Sequence, residues 1–119
     1  MSAENKEPEY RPWGYYVVLA EQADFKVKKT VVHSGCRMSL QRHQHRREHW
    51  HIVRGKARIT LNSSEIELGP GQSTDIPIES LHRVANSGTD DLVFIEIQTG
   101  DYFGEDDIER LEDDFGRAF

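Results

Sequence analysis

Gly35-Cys-Arg-Met-Ser-Leu-Gln41-Arg-His43, followed by Glu48 and Gly55, and Gly71-Gln-Ser-Thr-Asp-Ile-Pro77-Ile-Glu-Ser-Leu-His82-Arg-Val-Ala-Asn86 are the two stretches that decide how this chain reads. Side chains two residues apart on a strand share a face, so Gln41 and His43 reach one point together. A short turn at residues 44–47 returns the chain, and Glu48 comes back on the next strand. His82 arrives from the second stretch, as a donor on a barrel wall would. The four together read as one metal site assembled from two strand pairs. A second register, His43-x-His45, crowds Glu48 into the same hairpin and leaves His45 beside the site if the first register holds.

Outward from these stretches, short β-type runs dominate: 15–19, 25–32, 38–43, 50–53, 57–61, 65–68, 73–76, 82–85 and 92–98. Turn signals separate them at Ser34-Gly35, Asn62-Ser63-Ser64, Gly69-Pro70-Gly71 and Asn86-Ser87-Gly88. Many short strands at even spacing predict an all-β jelly-roll barrel. The period changes near the end, where Ile108, Leu111 and Phe115 fall at helical spacing behind the acids of residues 105–107. A short C-terminal α-helix over 105–115 is therefore expected. Residues 1–9 read as a flexible arm and residues 10–119 as a single domain.

With 119 residues the chain is large enough for one core, and its single Cys36 excludes an internal disulfide. No apolar run approaches the roughly 20 residues of a membrane span, and Met1 to Glu9 has no signal-peptide character. A cytoplasmic protein with no membrane partner is the expectation. The net charge of −6 hides an asymmetry. Residues 104–119 hold seven acids against Arg110 and Arg117, whereas residues 26–58 hold ten Lys or Arg and one acid, Glu48. A basic middle of this kind suits an anionic small ligand. Nucleic acid is not expected, because the basic stretch lacks interleaved aromatics and the whole chain is acidic.

The donor types constrain the ion. Two imidazoles, one carboxylate and one amide oxygen suit one divalent first-row metal, with zinc the first expectation and iron, cobalt, manganese or nickel compatible. Open coordination positions would allow Lewis-acid chemistry on a substrate oxygen.

The two stretches resemble the paired motifs of the cupin superfamily, with Gln41 where the first histidine commonly stands. The likeness narrows further. Arg11-Pro-Trp-Gly14 with Tyr16, Leu40-Gln41-x-His43-x-His45-Arg46-x-Glu48-His49-Trp50, Gln72-Ser-Thr74 with Ile76-Pro77, His82-Arg83 and Gly104-Glu-Asp-Asp-Ile108 together resemble the type II phosphomannose isomerases. In many members this cupin is the C-terminal half of a bifunctional enzyme whose other half is a mannose-1-phosphate guanylyltransferase. The resemblance implies the isomerase half alone, a metal-dependent interconversion of mannose 6-phosphate and fructose 6-phosphate. His51 and Arg54 depart from the commoner pattern, as does Gln44 between the two histidines.

Carried over by position, Gln41, His43, Glu48 and His82 are the implied metal ligands. Isomerisation also needs a base and cationic anchors for the phosphate. Glu96 and His45 are the acid/base candidates; Arg46, Arg83 and Lys28 are the anchor candidates. Arg11-Pro-Trp-Gly14 reads first as packing at the start of the barrel. The resemblance further implies a homodimer, since cupins of this size pair through exposed sheet edges. Two other readings stand beside the isomerase: a non-catalytic sugar- or metal-binding module serving a separate guanylyltransferase chain, and a cupin, such as an iron oxygenase, acting on another small substrate.

Overall fold

The structure is a computed structural model and describes residues 7–114. Eleven strands run in chain order as β1 (Glu9–Arg11), β2 (Gly14–Gln22), β3 (Phe25–Val32), β4 (Leu40–Arg42), β5 (Arg46–Arg54), β6 (Ala57–Leu61), β7 (Ser64–Leu68), β8 (Ser73–Ile76), β9 (His82–Asn86), β10 (Leu92–Gly100) and β11 (Glu109–Glu112). They form two antiparallel sheets, a six-stranded one ordered β1-β2-β3-β10-β5-β8 and a five-stranded one ordered β11-β4-β9-β6-β7. This is the jelly roll expected from the spacing of strands and turns, and it agrees with the cupin fold that the resemblance implies.

Register explains why the interior is apolar at one end and polar at the other. In the six-stranded sheet Leu92 pairs with Val32, and Phe94 with both Thr30 and Ile52. Two residues further along β10, Glu96 faces Lys28 and Trp50; two further still, Gln98 faces Glu48. All these side chains point inward, because the pleat puts every second residue on the same face. Val32, Trp50, Ile52, Ile59, Ile76, Val84, Leu92 and Phe94 form the dry end. Lys28, Arg46, Glu48, Glu96 and Gln98 form the polar end, and all five are buried. Charged groups are rarely buried without partners, so this end marks a site rather than a core.

Among the described residues the expected C-terminal α-helix does not form. Glu105–Asp107 make one 3-10 turn, and Glu109–Glu112 form β11, which pairs with β4 through Arg110↔Gln41 and Glu112↔Leu40. A helix this short gains little from its own hydrogen bonds, whereas the open edge of β4 offers a ladder. Phe115, which completes the helical spacing, lies outside the described residues. Glu9, placed in the arm by sequence, opens β1 and pairs with Tyr16. The turn expected at 44–47 is shorter, since Arg46 already belongs to β5.

Gly55 closes the first motif for a steric reason. Its φ is +92° and a Cβ there would lie 2.9 Å from the Asp91 carbonyl oxygen, so only glycine lets β5 turn into β6 beside that backbone. No helix among the described residues is long and apolar enough to cross a membrane.

Candidate metal centre and its cavity

Four donors meet where the two sheets face one another. Gln41 on β4 pairs with His82 on β9, so the five-stranded sheet supplies both. His43 follows β4 directly, and Glu48 stands on the inward face of β5 in the opposite sheet. His43, Glu48 and His82 each offer a ligand atom, and these atoms lie within 4.8 Å of one another. All three are 3% exposed and Gln41 is 7% exposed. The His43 and His82 rings lie 4.8 Å apart between centroids.

Surrounding hydrogen bonds aim these donors. His82 Nδ1 lies 3.0 Å from the Ser80 carbonyl oxygen, which can only accept, so Nδ1 carries the proton and Nε2 keeps its lone pair. Arg46 Nη2, which can only donate, lies 3.0 Å from His43 Nε2, so that lone pair accepts from the guanidinium and the ring proton sits on Nδ1. His43 Nδ1 then faces Glu48 Oε2 at 3.4 Å. Gln41 Nε2 donates to Ser39 Oγ at 2.9 Å, which turns Oε1 toward His43 Nε2, 3.1 Å away. Two acceptor atoms, His43 Nε2 and Gln41 Oε1, therefore meet in a buried place beside the Arg46 guanidinium, and an ion there would take over from it. The residues present fit a divalent ion.

Glu48 is the most heavily hydrogen-bonded donor. Trp50 Nε1 donates to its Oε1 at 2.7 Å, while Arg46 Nε at 3.0 Å and Gln98 Nε2 at 3.4 Å donate to its Oε2. Burial alone would raise its pKa, but His43 and Arg46 outweigh that and hold the carboxyl well below the usual range. His43 is pushed down to about 3 by burial, against the pull of Glu48. His82 is lowered as well, again by burial first. Both imidazoles are thus neutral and able to ligate at neutral pH.

Beside the donors lies a partly open cavity with about 40 Å³ of inner space, whose lining includes Arg11, Tyr16, Lys28, Glu96, Gln98 and Glu105. Glu96 accepts from Thr30 Oγ1 at 2.5 Å and is raised to about 8 by burial and by Glu48. Lys28 lies 4.1 Å from the Tyr16 ring centroid and is lowered by burial, with Glu96 opposing. These two face each other across the β3–β10 ladder.

Two of the residues singled out from sequence lie elsewhere. His45 sits on the exposed turn against Asp101, 3.3 Å away, and Tyr102. Arg83 follows the inward-pointing His82 and so points the other way, donating to the Met38 carbonyl at 2.9 Å and to Glu112 at 3.3 Å. Arg46 does line the cavity, but its guanidinium is committed to Glu48, His43 and the Phe103 carbonyl. His49 pairs with Asp75 and His51 with Ser73 on the outer face of β5, away from the donors. Arg11, Tyr16, Gln98 and Glu105 line the cavity although sequence does not single them out as site residues. The alternation Phe94-x-Glu96-x-Gln98 carries a signal for Gln98, while Arg11 and Glu105 lie in stretches that sequence reads as packing and as the start of a helix.

Comparison with known proteins gives this arrangement a family. Residues 2–113 match the family described as Mannose-6-phosphate isomerase C-terminal. The chain belongs to that family. It is 52% identical over 109 residues to the alginate biosynthesis protein AlgA of Pseudomonas aeruginosa, covering 92% of this chain and 23% of the relative. It is 46% identical to the xanthan biosynthesis protein XanB of Xanthomonas campestris and 44% identical to an Escherichia coli mannose-1-phosphate guanylyltransferase, with the same coverage. This family member thus spans under a quarter of the length of the curated relatives it matches. Among solved structures, the capsular polysaccharide assembling protein CapF of Staphylococcus aureus superposes with a TM-score of 0.77 at 21% identity, covering 90% of this chain and 34% of CapF. Oxalate decarboxylase OxdC of Bacillus subtilis gives 0.76 at 24% identity, covering 86% and 30%. At such identities these two show the shared fold alone.

Proposed function

We propose that this chain is a metal-dependent aldose–ketose isomerase that interconverts mannose 6-phosphate and fructose 6-phosphate. The observation that carries the reading is the convergence of Gln41, His43, Glu48 and His82 beside a cavity that also holds a buried carboxyl and a buried ammonium. The family match supports the same reaction class.

Gln41 Oε1, His43 Nε2, a Glu48 oxygen and His82 Nε2 would hold the ion. When bound, a divalent cation supplies Lewis-acid stabilisation of negative charge on the substrate oxygens at C1 and C2. The chain supplies the rest. Aldose and ketose differ by a proton moved between neighbouring carbons, so one group must take that proton and return it. Glu96 suits this proton transfer, because it lines the cavity and its pKa of about 8 lets it hold or release a proton near neutral pH. The Lys28 ammonium is the anchor for the phosphate, reinforced by Arg11 at the cavity mouth. Arg46 acts as a positioning residue, orienting Glu48 and His43 rather than gripping substrate.

Incubating the metal-loaded chain with mannose 6-phosphate, with a chelated sample alongside, tests the reading directly. Metal-dependent formation of fructose 6-phosphate is the expected result. A folded, metal-bound chain that binds the sugar phosphate without turning it over would replace the isomerase with a binding module.

A further inference from the structure

Glu105 stands at the cavity mouth, on the 3-10 turn, with Oε1 3.3 Å from Arg11 Nη2. Arg11 also donates to the Tyr16 hydroxyl at 3.2 Å, and its guanidinium carbon lies 5.1 Å from the Tyr16 ring centroid. Lys28 occupies the same ring at 4.1 Å. Two cations thus share one aromatic ring at the edge of the cavity.

Their partners are unequal. Arg11 has Glu105 and, at 3.9 Å, Glu9. Among the described residues the Lys28 ammonium makes no hydrogen bond and no ion pair, although the residue is only 5% exposed. The Lys28 ammonium faces the cavity rather than a protein partner, a placement that suits an anion entering there. Of the carboxyls whose charge acts on Lys28, Glu105 is the half-exposed one, whereas Glu96 and Glu48 are buried. The Glu105 carboxyl, which burial would raise, is lowered by Lys28, Arg11 and Arg46.

Space argues the same way. The cavity is partly open and its inner space of about 40 Å³ is worth a few waters, so a hexose phosphate gains room when a lining group swings aside. Lys28 and Tyr16 are fixed in the β2–β3 ladder. Glu105 is half-exposed on a three-residue turn that has no side-chain cap, which makes it the lining group that moves at least cost.

We propose that Glu105 is a built-in anion that holds the Arg11–Lys28 end of the cavity and is displaced by a phosphate dianion, so that it sets how strongly the site prefers phosphate esters over neutral sugars. This rests on reading the cavity as a sugar-phosphate site. A dianion brings more charge to the two cations than one carboxylate does, and takes over both. A neutral hexose offers nothing in exchange, and Glu105 stays.

Titration calorimetry of the full chain with inorganic phosphate tests this, run both with metal and with chelator so that binding to the ion is separated. Glu105→Gln is expected to bind phosphate about fivefold tighter or better, since the competing charge is gone. Lys28→Met is expected to bind about tenfold weaker or worse. Mannose, the uncharged probe, should bind native and Glu105→Gln protein equally. Thermal melting checks that each variant is folded, and Glu105→Ala provides a second removal of the charge. If Glu105→Gln and Glu105→Ala bind phosphate no tighter than native protein while Lys28→Met weakens it, the displacement idea is wrong and the sugar-phosphate reading survives. If no folded version binds phosphate, both fall. Tighter phosphate binding by the variants in a chain that isomerises nothing would leave Glu105 in this role and remove only the reaction.

Discussion

Arg46 Nε lies 3.0 Å from Glu48 Oε2 on the inward face of β5, and both side chains are sealed from water. The same guanidinium reaches His43 Nε2, so one arginine holds two of the four donors in place. Removing one member of a buried pair leaves the other charged and uncompensated. Arg46→Met is therefore expected to lower the unfolding free energy of the metal-free chain by about 3–5 kcal/mol. Urea denaturation measures it, and a loss below about 1 kcal/mol would mean that water reaches Glu48 after all.

Trp50 donates its only hydrogen bond to Glu48 Oε1 at 2.7 Å and also packs at 5.4 Å from Phe94 between ring centroids. Trp50→Phe keeps most of the packing and deletes the donor. Metal affinity should fall about 10- to 100-fold, as for other groups that orient a ligand from behind. A competition titration against a chromophoric chelator reads the change. His82→Ala and Glu48→Ala, by contrast, should abolish stoichiometric metal uptake in elemental analysis.

Stability against pH should carry two opposed slopes. His43 is held at about 3 against an ordinary 6.5, so the unfolded chain binds its proton more readily and stability is lost as pH falls from 6.5 toward 3. Glu96 is held at about 8 against an ordinary 4.5, so the folded chain keeps its proton and stability is lost as pH rises from 4.5 through 8. Between 4.5 and 6.5 the two cancel. The lowered His82 tips the balance there, so chelated protein should lose stability as pH falls from 6.5 and again as it rises from 6.5 toward 8, with at most about 1.4 kcal/mol per pH unit from each group. Glu96→Gln should keep the acid decline and lose the alkaline one. A variant that still declines above pH 6.5 as the native chain does would assign that slope to another group.

Arg83 acts on the frame rather than on the ligand. It ties β9 to the Met38 carbonyl and to Glu112 of β11, outside the cavity. Arg83→Ala should cost about 1–3 kcal/mol in denaturant, since it orphans the Met38 carbonyl. The Michaelis constant for the phosphosugar should stay unchanged. A raised constant at full stability would place Arg83 among the substrate contacts.

Much of the scaffold is legible in the residues themselves. The bounds that sequence gives for Phe25–Val32, Ala57–Leu61 and Ser73–Ile76 coincide with β3, β6 and β8, because alternation and turn residues are local properties. Sequence makes β5 too short, since Arg46 and Arg47 look like a charged turn until Glu48 and the Phe103 carbonyl are seen to receive Arg46. The spacing of Ile108, Leu111 and Phe115 suggests a helix, and the open edge of β4 makes the segment a strand instead.

The strand periods, the glycine at the β5–β6 turn and the residue types at 41, 43, 48 and 82 are written in the order of the chain. Period two states which neighbours share a face, and that is as far as a local rule reaches. Which polar face closes over a cavity depends on how the two sheets pack. The tertiary structure turned Arg83 outward under Glu112, committed Arg46 to Glu48, and brought Arg11 and Glu105, 94 residues apart, to one mouth. Those outcomes depend on which sheet packs over each face and on charges supplied from distant segments, so no window of sequence contains them.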